Sequence, residues 1–97
     1  MAIAMLVDIP GLTQEQYEQA VQIVNQGGPT LGGAFMHSAG PLAGGGCRVM
    51  EVWESQEAAD AFYGSALFGQ IAATMSQPTI TSWPLYALGG AGLKEAS

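Results

Sequence analysis

Two strand-length runs separated by a short turn-forming segment constrain the fold of this 97-residue chain more than any other feature. Residues 33–39 and 47–54 have the length and apolar content of strands, and residues 40–46 between them contain four glycines and a proline. Because so short a connection joins neighbouring antiparallel strands, the two runs are predicted to form a hairpin. The hairpin carries most of the side chains capable of chemistry, namely His37, Cys47, Arg48, Glu51 and Trp53.

The segments on either side of the hairpin supply two more strands and two helical regions. Residues 2–9 form an apolar strand that ends at a Pro-Gly turn signal, and residues 79–86 are β-branched and aromatic. A helical apolar spacing follows the first strand and recurs after the hairpin. The resulting order, β-α-β-β-α-β, predicts a ferredoxin-like α+β fold: a four-stranded antiparallel sheet with helices on one face.

Capping residues predict where the helices begin and break. Thr13 and Gln16 have the spacing of a capping box, in which each side chain binds the other residue's backbone. Ser55 is predicted to cap the second helical region, and Gly64 is predicted to interrupt it. Pro84 cannot donate a hydrogen bond to a neighbouring strand, so the last strand is expected at an edge or bulge of the sheet.

Low charge and high apolar content indicate that the sheet is buried on both faces. Hydrophobic residues make up 48% of the chain and charged residues only 10%, against about 25% charged residues in an average domain. Two helices cover only one face of a sheet, so the other apolar face is expected to pack against a second copy. We predict a single domain over residues 1–88, a homodimer, and a flexible tail over residues 89–97.

The charge balance and the cysteine count exclude several classes of partner and site. The net charge of −6 argues against nucleic acid and against anionic membrane surfaces. One cysteine allows no internal disulfide, and no transmembrane run or signal peptide is recognisable, so a cytoplasmic protein is expected. One histidine and one cysteine without ligand spacing predict no metal site.

Three segments in the expected order resemble a known superfamily. They are residues 10–17, 37–41 and 48–58, within a likeness that spans about residues 2–86. The chain resembles the dimeric α+β barrel superfamily, and more narrowly small bacterial proteins related to the antibiotic biosynthesis monooxygenases. The resemblance implies a ligand pocket between the sheet and the helices of each subunit. It also implies a function among cofactor-free oxygenases, cyclases, isomerases, haem-degrading enzymes or members without known activity.

The register of the hairpin decides which side chains meet His37, the only histidine and the side-chain type that titrates nearest neutrality. A turn centred on Ala43 places His37 opposite Val49 and diagonal to Glu51, whose carboxylate could orient the imidazole. A slip by one residue instead places His37 beside the other face of the strand, among Arg48 and its neighbours. Both registers stay open at the level of sequence.

We predict that the chain is a cofactor-independent enzyme of secondary metabolism that removes a proton from an aromatic or polyketide-like substrate, foremost as a monooxygenase. His37 is the candidate general base, Glu51 its orienting partner, and Arg48 or Tyr86 the group that stabilises an enolate or phenolate. The alternative for Arg48 is an ion pair with Glu54 or Glu51. The candidate substrate-binding residues are Phe35, Trp53, Phe62, Trp83 and Tyr86, and each of these aromatics could instead belong to the core.

Three alternatives to a monooxygenase remain. The same scaffold could act as a cyclase or isomerase, or the chain could be a non-catalytic dimer that binds a hydrophobic metabolite. A haem-handling role would require His37 to ligate iron. His37 itself could be a satisfied structural histidine without a catalytic role.

Overall fold

A computed structural model describes residues 1–26 and 33–89 of the chain. It contains the predicted alternation of strands and helices, with the second helical region divided into two short helices. The elements are β1 (Ile3–Pro10), α1 (Gln14–Gln26), β2 (Ala34–Pro41), β3 (Gly46–Trp53), α2 (Gln56–Tyr63), α3 (Ala66–Ala72) and β4 (Thr79–Pro84).

The four strands form one antiparallel sheet in the order β2-β3-β1-β4. This order confirms the ferredoxin-like α+β fold, and it places β4 at an edge, as Pro84 requires. The helices cover the face that carries Val7, Val49 and Trp53, and these side chains form the centre of the buried core. We call this face the inner face and the opposite one the outer face.

Local capping interactions form as the sequence predicts. The Thr13 amide donates to Gln16 Oε1 at 2.9 Å, and the Gln16 amide donates to Thr13 Oγ1 at 3.1 Å. Ser55 accepts from the Ala58 amide at 3.1 Å at the start of α2, and α2 ends at Gly64. The caps therefore fix both ends of α2 and the start of α1.

The hairpin register differs from a turn centred on Ala43. His37 lies directly opposite Glu51, and Ala39, rather than His37, lies opposite Val49. The strands extend further toward the turn than expected, because Gly44 and the two glycines after it adopt positive φ angles of 87°, 104° and 128° and close a four-residue loop. The shift of two residues keeps the predicted face of each side chain and brings His37 nearer to Glu51.

The outer face of the sheet carries large apolar side chains that are partly exposed. Met36 is 39% exposed, Met50 is 46% exposed and Trp83 is 43% exposed. Leu6 lies between Met50 on β3 and Thr81 on β4. The strands therefore carry apolar side chains on both faces of the sheet, as the sequence predicts.

No helix within the described ranges is long and apolar enough to span a membrane. Most of the predicted tail, from residue 90 onward, lies outside the described residues. So does most of residues 25–29, where two glycines and a proline are expected to end the first helix. The domain boundary at residue 88 stays a prediction.

Candidate active site

An apolar cavity lies between the inner face of the sheet and the helices. Its volume is about 180 Å³. Strands β1, β2 and β3 supply its floor, and all three helices contribute to its walls. The lining residues are Val7, Ile9, Leu12, Tyr17, Ala20, Val21, Val24, His37, Val49, Glu51, Phe62, Tyr63, Phe68, Ile71, Met75 and Pro78.

A buried carboxylate anchors the polar end of this cavity. Glu51 is 2% exposed, yet three side chains donate hydrogen bonds to it. Its Oε2 lies 2.7 Å from His37 Nδ1, and its Oε1 accepts from Trp53 Nε1 at 2.9 Å and from the Tyr63 hydroxyl at 2.6 Å. No buried polar side-chain atom in the described ranges lacks a hydrogen-bond partner.

These donors determine the charge of Glu51. Burial by itself raises the pKa of the carboxyl, but the hydrogen bonds from His37, Tyr63 and Trp53 together lower the pKa below its ordinary value. Glu51 is therefore ionised at neutral pH. An ionised carboxylate can only accept hydrogen bonds, so the proton of a neutral His37 resides on Nδ1.

The second nitrogen of His37 contacts a tyrosine of α1. His37 Nε2 and the Tyr17 hydroxyl oxygen are 2.6 Å apart, and the two rings stack with centroids 6.0 Å apart and planes within 10°. With the proton of neutral His37 on Nδ1, Nε2 accepts from the Tyr17 hydroxyl. Burial raises the pKa of Tyr17, and the negative charge of the nearby Glu51 carboxylate raises it further, which keeps its hydroxyl protonated.

The residues Tyr17, His37 and Glu51 thus form a continuous hydrogen-bonded chain, which we call the Tyr-His-Glu chain. It begins at the cavity wall on α1, crosses the imidazole on β2 and ends on the buried carboxylate of β3. In this arrangement the buried carboxylate holds the imidazole in one tautomer and leaves its second nitrogen as a hydrogen-bond acceptor.

The structure brings His37 and Glu51 together but places Arg48 elsewhere. Side chains alternate along β3, so Arg48 lies on the outer face, directly opposite Asp8 of β1. It makes a two-bonded ion pair with this carboxylate, Nε to Oδ1 at 2.7 Å and Nη2 to Oδ2 at 2.9 Å. The alternative prediction, an ion pair of Arg48 with Glu54 or Glu51, is therefore wrong. Arg48 does not line the cavity.

Of the five aromatic residues predicted to bind substrate, Phe62 lines the cavity. Trp53 is completely buried beside it, with ring centroids 5.7 Å apart, and serves Glu51 as a donor. A bulge in β2 places Ala34, rather than Phe35, opposite Trp53, and Phe35 is 59% exposed. Trp83 lies on the outer face, and Tyr86 beyond β4 is fully exposed.

Sequence reasoning missed Tyr17 and Tyr63 as members of the site. Tyr17 occurs on the apolar stripe of α1, and Tyr63 is the last residue of α2 among other aromatics. A tyrosine within an apolar stripe places a hydroxyl where it needs a buried partner, and this is the signal that the sequence contained. Tyr63 is deeply enough buried beside the charge of Glu51 that its pKa lies far above the ordinary value.

A second, larger hollow lies on the other side of Tyr17. Its volume is about 390 Å³, and its walls include Gln14, Glu18 and Cys47. Leu12 and Tyr17 line both hollows and therefore separate the inner cavity from this outer groove. Cys47 is buried, and desolvation raises the pKa of its thiol, so it is not a reactive thiolate.

The described ranges contain no group of three or more His, Cys, Asp or Glu side chains able to hold a metal ion. No family model and no curated protein matches the sequence of the chain.

Several solved structures match its fold. The protein Rv0793 of Mycobacterium tuberculosis matches with a TM-score of 0.65 at 15% identity, over 94% of this chain and 99% of that one. A candidate antibiotic biosynthesis monooxygenase of Caulobacter crescentus matches with a TM-score of 0.67 at 16% identity, over 84% of this chain and 87% of the other. A dimeric ferredoxin-like protein of unknown function from Thermobifida fusca matches at 0.61 and 14% identity, over 88% and 92%. At such identities the likeness establishes the ferredoxin-like fold, and it confirms the resemblance to monooxygenase-like proteins at the level of fold.

Proposed function

We propose that this chain is an enzyme that removes a proton from a small aromatic substrate and then lets the resulting anion react with molecular oxygen. The observation that carries the proposal is the Tyr-His-Glu chain, which ends at the wall of an apolar cavity. An apolar cavity with a few convergent polar groups is the usual form of a small-molecule site.

His37 is the general base in this proposal, and Tyr17 passes the proton to it. The substrate hydroxyl donates its proton to the Tyr17 oxygen while the Tyr17 proton moves to His37 Nε2. The products are a substrate phenolate, a neutral Tyr17 and an imidazolium. Tyr17 never carries a full negative charge, in agreement with its raised pKa.

Glu51 is a positioning residue that acts through His37. Its ionised carboxylate accepts from Nδ1 at 2.7 Å and stabilises the imidazolium that forms. Trp53 and Tyr63 hold the carboxylate in place through Oε1. Phe62 is the predicted substrate contact that we retain, and we assign Arg48, Phe35, Trp83 and Tyr86 no part in the chemistry.

The oxygenation is proposed because three structures of the same fold are named candidate antibiotic biosynthesis monooxygenases. The reaction balances without a bound cofactor. A phenol and O₂ give a quinone and water: one oxygen atom forms the new carbonyl, the other leaves as water, and the substrate supplies the four electrons. A cyclase or isomerase remains the second candidate, because His37 can return the same proton to another atom.

Labelled oxygen distinguishes the candidates. The protein is incubated with phenolic substrates under ¹⁸O₂, and the products are analysed by mass spectrometry. One ¹⁸O atom in the quinone, absent with His37→Gln, supports a monooxygenase. A rearranged product of unchanged oxygen content indicates a cyclase or isomerase. If none of the phenols tested is converted, the result contradicts the proposed proton abstraction from a phenol.

The outer face supports a homodimer as the working assembly. Met36, Met50 and Trp83 form an apolar surface there, and the charges of Asp8 and Arg48, which lie opposite each other, neutralise one another. Such a surface suits a second apolar sheet better than water. The dimeric state stated for the Thermobifida fusca structure favours the same arrangement.

A further inference from the structure

We infer that the inner cavity takes an uncharged phenol with a single ring, whose hydroxyl donates to the Tyr17 oxygen. The role of that hydroxyl rests on the proposed function. The size and charge of the ligand rest on the cavity itself.

The volume of the cavity limits the number of rings. At about 180 Å³ it is slightly larger than an engineered apolar cavity of about 150 Å³ that holds benzene. A space of this size favours one ring with small substituents over fused polycyclic compounds. Apart from Tyr17, His37, Glu51 and Tyr63 its walls are hydrophobic side chains, which suit the faces and edge of such a ring.

The charge of the walls excludes anionic ligands. No lysine or arginine of residues 1–26 and 33–89 lines the cavity. Arg48 is held by Asp8 on the outer face. The ionised carboxylate of Glu51 forms part of the wall, so an anionic ligand would lose its hydration and meet a like charge.

The Tyr17 oxygen is the hydrogen-bonding atom in the cavity that can still accept a hydrogen bond from a ligand. Glu51 Oε1 and the Tyr63 hydroxyl are engaged with each other, and His37 Nε2 accepts from Tyr17. The Tyr17 oxygen donates its one proton to His37 and keeps lone pairs for a further donor. A ligand that satisfies it must itself donate, as a phenolic hydroxyl does and an aromatic ketone does not.

Tyr17 also confines the ligand to the inner cavity. Together with Leu12 it separates the cavity from the outer groove. A ligand that occupied both spaces would displace the Tyr17 ring from its stacked position on His37 and break the 2.6 Å hydrogen bond between them. The reacting hydroxyl and the complete ring are therefore accommodated on one side of Tyr17.

Four probes test this inference by isothermal titration calorimetry at pH 7. 4-Methylphenol is expected to bind most tightly, and toluene, which lacks the hydroxyl, about tenfold more weakly. 4-Hydroxybenzoate, ionised at this pH, is expected to bind at least about a hundredfold more weakly. 2-Naphthol, with two fused rings, should also bind at least about tenfold more weakly. Equal or tighter binding of either of the last two, or no binding of 4-methylphenol, overturns the inference.

A variant separates this inference from the proposed function. The double variant Tyr17→Phe/His37→Leu removes both groups able to accept the hydroxyl, because Tyr17→Phe alone would free His37 Nε2 as a substitute acceptor. It should bind toluene like the wild-type protein, which verifies that the cavity is intact, and should bind 4-methylphenol no more tightly than toluene. Retained preference for 4-methylphenol in this variant overturns the placement of the hydroxyl. If 4-methylphenol shows the expected affinity but wild-type protein neither forms its phenolate nor consumes oxygen, the proposed function fails and the ligand class stands.

Discussion

His37 Nδ1 and Glu51 Oε2 lie 2.7 Å apart on residues that face each other directly across β2 and β3. The imidazole is partly exposed, whereas the carboxylate is almost wholly buried and fixed by two further donors. The orientation of the imidazole is therefore set by the sheet. We therefore expect the stability of the protein and the proposed chemistry of the cavity to depend on the same carboxylate.

Glu51→Gln tests the dependence of stability. The amide has one acceptor oxygen where the carboxylate has two, and its NH₂ group faces a donor of the network. We expect the free energy of unfolding to fall by about 1–3 kcal/mol, the usual effect of leaving a buried donor without an acceptor. Urea denaturation followed by circular dichroism measures this loss.

Acid should remove the same contribution from the wild-type protein. The pKa of Glu51 is lower in the folded protein than its ordinary value, so the folded state favours the ionised form. The stabilisation is present above the unfolded-state pKa of about 4.3 and is lost as pH falls below about 4. Unfolding midpoints measured between pH 7 and pH 2 should show this decline.

Two variants assign the decline to Glu51. Glu51→Gln cannot titrate and should lose much of the slope below pH 4. Asp60→Asn removes an exposed carboxylate of α2, which accepts from Gln56 Nε2 at 2.9 Å, and should retain most of the slope, because substitutions at the surface have small effects. An unchanged acid slope in Glu51→Gln would contradict the assignment.

Tyr17→Phe and Tyr63→Phe each remove one hydroxyl from the site but at different ends of the Tyr-His-Glu chain. Tyr17→Phe should lower kcat about 10²-fold or more, since the relay to His37 Nε2 is interrupted. Tyr63→Phe removes one of three donors to Glu51 and should lower the unfolding free energy by about 1–3 kcal/mol with a smaller effect on kcat. Steady-state kinetics and urea denaturation measure the two effects.

The comparison also decides how His37 acts. If the imidazole removes the proton directly, Tyr17→Phe exposes Nε2 to the substrate and kcat is retained or increased. Such a result would exclude the relay through Tyr17 and leave His37 as the base. A loss of kcat in Tyr17→Phe together with unchanged binding of toluene supports the relay.

Local sequence signals predicted the fold well because the structure satisfies them over short distances. The capping box of Thr13 and Gln16 forms with both expected hydrogen bonds. Gly64 ends α2, and Pro84 lies on the edge strand. The caps span at most a few residues, so the local pattern contains all that is needed to predict them. The edge position of Pro84 follows from its missing N–H, which is likewise a property of the residue itself.

The geometry of the site depends on longer-range features that the pattern leaves open. Three glycines in the turn permit several loop conformations, and the observed one shifts His37 by two positions relative to β3. A bulge beside Phe35 moves that side chain out of the cavity. The pairing of Tyr17 with His37 depends on how α1 lies across the sheet, which no spacing in the sequence specifies.

Met50→Asp tests the homodimer proposed for the outer face. A carboxylate at this position would be buried against an apolar sheet in the dimer, at a cost of several kcal/mol, and should yield a monomer. Ile80→Asp is the matched control, because the exposed fraction of Ile80, 47%, is close to the 46% of Met50. Ile80 pairs with Val7 on the inner face, so its substitution leaves the outer face unchanged. Light scattering after size-exclusion chromatography measures the mass. A monomeric wild-type protein, or a dimeric Met50→Asp variant, would contradict the proposed interface.

Gly46→Ala and Gly45→Ala test the turn that sets the hairpin register. Both glycines have positive φ angles, 128° and 104°, so alanine strains the backbone at either position, by about 1–3 kcal/mol. A Cβ on Gly46 would lie 2.5 Å from the Ile9 carbonyl oxygen and 2.9 Å from the Gly11 amide nitrogen, whereas one on Gly45 meets nothing within 4 Å. We therefore expect Gly46→Ala to lower the urea midpoint markedly more than Gly45→Ala. Because Gly46 is the first residue of β3, we also expect only Gly46→Ala to perturb the His37 imidazole resonances. Equal effects of the two substitutions would show that the close approach to β1 does not restrain the register.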